Sequence, residues 1–233
     1  MIITEFQGGG AECKFNLKGF TLAEVLITLG VIGIVAALTL PTIMQHYKKQ
    51  EATARLKKFV STMEQAIMLS ELDNGPAGDW EKQDIVWEDR DENKVDSAAQ
   101  NGLVNKFYVR YLKKYLKTVK VDEVDTTDPD RMKIYFADGS TTTFYNGSCI
   151  DITYDVNGDK KPNDRAKDQF SFLLCSSKYI DAGHPVSKKA FGTFDEFETR
   201  EEAKSQCKNR TAYCTNLLQF DNWEFKDDYP FKL

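Results

Sequence analysis

Residues 18–45 read KGFTLAEVLITLGVIGIVAALTLPTIMQ, and from Val25 to Gln45 twenty-one consecutive residues carry no charge. At about 1.5 Å per helical residue this run spans roughly 30 Å, the hydrocarbon thickness of a bilayer. A buried helix of a soluble domain would keep a polar face over six turns, and this one has none. The apolar region of a cleaved signal peptide is shorter, about 7–15 residues, and ends at a small-residue cleavage site. The stretch is read as a membrane span.

The pattern then changes without a break. From Tyr47 to Leu72, apolar residues recur at three- and four-residue steps (Leu56, Phe59, Val60, Met63, Ile67), with Lys48, Lys49, Arg55, Lys57 and Lys58 between them. That is an amphipathic helix that needs a partner surface on one side. Gly75-Pro76 ends it. Residues 20–72 are therefore expected to form one long helix, transmembrane over 20–45, with a kink or a melted turn at Pro41.

Residues 73–95 are polar and aperiodic, which predicts a loop. Asp96-Ser97 predicts the cap of a second helix running to about Thr118, with a solvated basic face carrying Lys106, Arg110 and Lys114. After Asp130 the period becomes two. Met132–Ala137 and Thr141–Tyr145 flank Asp138-Gly139, a hairpin signal, and Cys149–Val156 and Gln169–Ser176 are further strands. Thr199–Lys208 predicts a short helix, and Thr215–Phe220 with Trp223–Lys226 a last hairpin. Helices first and strands later predict an α+β fold, a long N-terminal helix on an antiparallel sheet domain spanning residues 73–233.

Composition narrows the function. The chain has 233 residues, a formal net charge of -5, two histidines and 41% hydrophobic residues. A mean hydropathy of -0.48 excludes a polytopic membrane protein. A pI near 5.2 with scattered basic residues gives no support to nucleic acid as a partner. No nucleophile elbow, P-loop, dinucleotide fingerprint or metalloprotease motif is present, and the chain is read as a non-enzyme without a required cofactor.

The mouth of the apolar run, Lys18-Gly19-Phe20-Thr21-Leu22-Ala23-Glu24, resembles the processing site of type IV prepilins and type II secretion pseudopilins. The resemblance covers about the first 55 residues. It implies a leader of residues 1–19, cut by a membrane prepilin peptidase between Gly19 and Phe20, with Phe20 then N-methylated. It also implies that Glu24 meets the Phe20 amine of a neighbouring subunit during assembly. Physics supports a need for a partner: a carboxylate deep in a membrane helix costs about 2.5–3.5 kcal/mol on insertion scales. The positive-inside count runs the other way, since more lysines and arginines follow the span than precede it. The leader requirement and the cysteines outweigh it. The expected location is the inner membrane, single-pass, with the C-terminal domain extracytoplasmic, and then a filament.

Cys13 lies in the leader, leaving Cys149, Cys175, Cys207 and Cys214. Four cysteines allow three pairings. Cys207 and Cys214 enclose six residues, which favours their bridge, and Cys149–Cys175 between two strands then follows; unpaired buried thiols are the alternative.

The loop from Asp155 to Asp168 offers Asp155, Asn157, Asp159 and Asp168 as hard oxygen ligands around Gly158, which suits calcium. It departs from an EF-hand, because counting from Asp155 the twelfth position is Ala166. The resemblance adds weight, since major pseudopilins carry a calcium loop late in the sheet domain. The competing reading is a metal-free turn capped by its own Asx side chains.

The leading functional expectation is a filament subunit, of a type IV pilus, a secretion pseudopilus or a DNA-uptake fibre, whose partners are other pilin-like subunits. The rivals are a membrane-anchored extracytoplasmic binding module that never polymerises and, more remotely, a tethered periplasmic enzyme.

Overall fold

The computed structural model describes residues 19–85, 87–88, 91–125, 129–184 and 186–233. The expected leader, Gly19 apart, lies outside the described residues. The chain divides into two compact units, one ending at Met44 and the other running from Gln45 to Leu233.

Helix α1, Leu22–Asn74, is unbroken at Pro41. Proline removes one backbone hydrogen bond, but the turns on either side keep theirs, and the expected melted turn does not form. In the first unit the aliphatic side chains point outward on every face: Leu26, Ile32 and Leu38 are each more than 60% exposed. The segment is long and apolar enough to cross a membrane, and none of its apolar window is buried.

In the second unit α1 changes character. Ala52, Leu56, Phe59, Val60, Met63, Ala66, Ile67 and Ser70 form one buried stripe at helical spacing. The stripe lies on a six-stranded antiparallel sheet. Before that sheet come a two-stranded ribbon, β1 (Trp87–Glu88) and β2 (Asp91–Val95), and helix α2 (Ser97–Tyr111). The Asp96 side chain caps α2 by accepting from the Ala99 N–H at 3.0 Å. Helix α2 stops at Tyr111, short of the expected Thr118, and the following turn buries Leu112 and Leu116.

The sheet is a meander in chain order: β3 (Lys120–Asp122), β4 (Met132–Tyr135), β5 (Thr141–Tyr145), β6 (Cys149–Asp155) and β7 (Gln169–Cys175). Short helix α3 (Ser177–Asp181) then leads to edge strand β8 (Phe191–Thr193). Helices α4 (Arg200–Asn209) and α5 (Cys214–Phe220) complete the fold. Alternation sorts the strands. Ile150, Ile152 and Tyr154 of β6 face the helices and are almost fully buried, as are Phe170, Phe172 and Leu174 of β7. Phe59 of α1 stacks flat on Tyr154, with centroids 4.0 Å apart. The Tyr154 hydroxyl donates to the Arg55 carbonyl, and Arg55 Nη1 donates to the Val156 carbonyl at 2.6 Å. One helix turn is thereby fixed to the end of β6.

Two further expectations need correction. The polar segment after α1 is not only loop. Trp80 within it is 2% exposed and stacks on Tyr111, and its indole N–H donates to the Gly75 carbonyl. The expected hairpin over 215–226 is helix α5 instead. It ends where Asn222 and Trp223 both take positive φ, and the Trp223 N–H returns to the Leu218 carbonyl. Burying Leu217 and Leu218 side by side suits a helix face, whereas a strand would send one of them to solvent.

Candidate functional site

The head of α1 is built by a reciprocal cap. The Thr21 hydroxyl oxygen accepts from the Glu24 N–H at 3.2 Å, and the Glu24 carboxylate accepts from both the N–H and the hydroxyl of Thr21 at 2.8 Å. This is a capping box, T-x-x-E, which satisfies two of the N–H groups a helix leaves unpaired at its start. The sequence signal for it is Thr21 three residues before Glu24 at the start of an apolar run. Phe20 precedes the cap and is 87% exposed. A Cβ placed on Gly19 would meet nothing within 4 Å, so the fold itself makes no demand for glycine there. Gly19, Phe20 and Glu24 thus sit within two turns, with the backbone on either side of the Gly19–Phe20 bond open.

Both bridges are present in the sheet domain. Cys149 and Cys175 are direct cross-strand partners of β6 and β7, and their sulfurs are bonded. Cys207 and Cys214 tie the last turn of α4 to the first residue of α5. Cys13 lies outside the described residues.

The acidic loop closes on its own amides. Asp155 accepts from the Asn157 N–H and from the Gln169 side chain. Asp168, 4% exposed, accepts from the N–H groups of Asn163 and Asp164 and from the Asn157 side chain. Asp159 turns away and pairs with Lys133 at 2.7 Å. Asp155, Asn157 and Asp168 are therefore brought together, and Asp159 is not. Both carboxylates accept from N–H donors within the loop, while Asn157 Oδ1 is buried with no partner among the described residues. No group of three His, Cys, Asp or Glu is placed to hold a metal among the described residues. Gly158 is needed for the closure: its φ is +67°, and a Cβ there would lie 2.3 Å from the Gly139 carbonyl oxygen of the β4–β5 turn. Burial raises the Asp155 carboxyl to about 6, with the Asp168 charge adding to it against the Gln169 and Asn157 bonds.

An exposed apolar helix with a capped, methylation-type head, continued onto an antiparallel meander with two disulfides, defines a pilin-like protein. Residues 15–40 match the model of the prokaryotic N-terminal methylation motif. Over residues 42–233 the chain belongs to the family described as "Family of unknown function (DUF6613)". Among similar proteins, the type II secretion system core protein G of Pectobacterium carotovorum subsp. carotovorum is 28% identical over 68 residues, 29% of this chain and 43% of that protein. A type IV major fimbrial protein FimA of Dichelobacter nodosus is 32% identical over 89 residues, 36% of this chain and 56% of its own length. The chain spans about half the length of these relatives, which are structural pilin-type proteins and not enzymes. No solved structure matches the chain.

Proposed function

We propose that this chain is a structural subunit of a type IV pilus-like or type II secretion pseudopilus filament, held in the inner membrane by residues 20–45 before assembly. In this reading residues 1–19 are a leader, a prepilin peptidase cuts between Gly19 and Phe20, and Phe20 is N-methylated. The observation that carries the reading is the methylation-type head at the mouth of an outward-facing apolar helix. Such a surface of large aliphatics has only two stable surroundings, lipid or the helices of like subunits. Glu24 would then exchange its intrachain cap for the free Phe20 amine of a neighbouring subunit. The two disulfides support an oxidising compartment for residues 73–233.

The test is mass spectrometry of sheared surface filaments and of membranes. The expected result is a mature chain in the sheared fraction, starting at methylated Phe20. Glu24→Ala should leave cleavage intact and empty the sheared fraction. An intact leader in wild-type cells, or filaments unaffected by Glu24→Ala, would overturn the reading; an anchored receptor that never polymerises would be indifferent to that substitution.

A further inference from the structure

On the sheet face away from α1, a cavity of about 510 Å³ opens beside the Cys149–Cys175 bridge, within the usual size range of a small-molecule site. Asp151 and Arg210 both line it. Asp151 lies in the centre of the sheet, opposite Tyr145 on β5 and Leu173 on β7. Its carboxylate makes no hydrogen bond among the described residues; burial pushes the carboxyl up, against the nearby charges of Arg131 and Arg210. Arg210 lies over the ring of Tyr213, 5.4 Å from its centroid, and its one side-chain hydrogen bond is a long 3.5 Å contact to the Tyr213 hydroxyl. Two opposite charges therefore face one cavity without closing into an ion pair.

Each pole is held in place by a disulfide. Asp151 follows Cys149 by two residues along β6, and Arg210 stands between Cys207 and Cys214. The backbone on both sides of the gap is thus set by the fold, and the exposed Arg210 side chain is what a ligand has to order. The rest of the lining is divided. The bridge, Leu173 and Phe194 make one wall apolar, while Asp84, whose carboxylate accepts from the Ser148 hydroxyl, adds a second acid to the lining. An anion entering here meets Asp151 and Asp84. A cation meets Arg210, with Arg131 close behind Tyr145. A zwitterion and a neutral molecule with adjacent donors and acceptors both satisfy the two poles, and the apolar wall favours the neutral one, whose other side is C–H surface.

We propose that this cavity binds a neutral saccharide, with Asp151 accepting from its hydroxyl groups and Arg210 donating to them. The experiment is saturation-transfer NMR on the full chain in a non-ionic, sugar-free detergent. The probes are methyl glucoside, methyl galactoside and N-acetylglucosamine, with choline and acetate as charged probes and glycine as a zwitterionic one. Transfer to at least one sugar is expected, weakened about tenfold or more by Asp151→Asn and by Arg210→Gln, as befits loss of a hydrogen bond to a charged group. Arg210 is exposed, so its substitution leaves the core untouched, and non-reducing peptide mapping checks that both bridges survive in each variant. No transfer to any sugar overturns the proposal. So does sugar transfer indifferent to both substitutions, or Asp151-dependent transfer to choline, acetate or glycine alone. None of these outcomes bears on filament assembly.

Discussion

The Glu24 carboxylate and Thr21 hold each other: three hydrogen bonds of 2.8–3.2 Å run between these two residues at the head of α1. A charge that would be costly in a membrane helix is thus partly satisfied by the chain's own first turn. Thr21→Val removes the hydroxyl from this arrangement and should cost about 1 kcal/mol of local helix stability. Amide exchange at Glu24 and Val25 in detergent micelles should accelerate accordingly. Unchanged protection would mean that the cap contributes nothing there.

The stack of Phe59 on Tyr154 joins α1 to the sheet at the centre of the core. Phe59→Ala should destabilise a fragment starting at Gln45 by about 3–5 kcal/mol, and Phe59→Leu by clearly less. Denaturant melts of the two variants measure this. Equal losses would show that the ring stack matters there and side-chain volume does not.

Two aspartates should give the domain opposite pH responses. Burial alone would raise the Asp138 carboxyl, but the Lys58 ammonium and the Ser140 hydroxyl and N–H hold it near 2. Its contribution is complete above the ordinary aspartate value of about 3.9 and is lost as pH falls through 2. Lys58 is 62% exposed, so the pair should contribute about 1 kcal/mol or less. Lys58→Met should flatten stability between pH 4 and 2.

Asp155 works the other way. With its folded value near 6, the folded state keeps a proton that the unfolded chain has already released. Stability should fall as pH rises from about 4 through 6, and the cost should be complete above that window. Asp155→Asn keeps an oxygen for the Asn157 N–H and should stabilise the domain at pH 7. Calcium is the companion test. With the loop carboxylates bonded to amides, the melting temperature should be the same in millimolar calcium and in chelator. A calcium-dependent rise abolished by Asp155→Asn would show that the loop rearranges around the ion.

Opening the Cys207–Cys214 bridge with Cys207→Ser and Cys214→Ser should cost about 2–3 kcal/mol in the chain-entropy account of so short a loop. It should also free Arg210, which lies inside that loop, so sugar binding should weaken beyond what the loss of stability explains.

Some of this protein was legible one residue at a time. The uncharged run of Val25–Gln45, the Asp96 cap and the Asp138-Gly139 turn are local signals, because lipid thickness, a cap's acceptor and a positive-φ turn each act within a few residues. The buried stripe of α1 was equally plain, since 3.6-residue periodicity survives in any context. Short segments were not. The seven residues of α5 carry too few turns for a period to show, and their helicity follows from Cys214 being bonded to α4 and from Leu217 and Leu218 entering one core. Trp80 sits among polar neighbours, and only the rings of Phe107 and Tyr111 make it an anchor. Asp155 and Asp168 read as ligands or as turn caps, and only the tertiary structure turns the amides of Asn163 and Asp164 toward Asp168. The sequence by itself determined the long apolar helix and the methylation-type head, because those depend on hydrophobicity and adjacency. That Asp151 and Arg210 face one cavity was decided by the tertiary structure alone, through strand pairing and two disulfides that bring distant segments to a common wall.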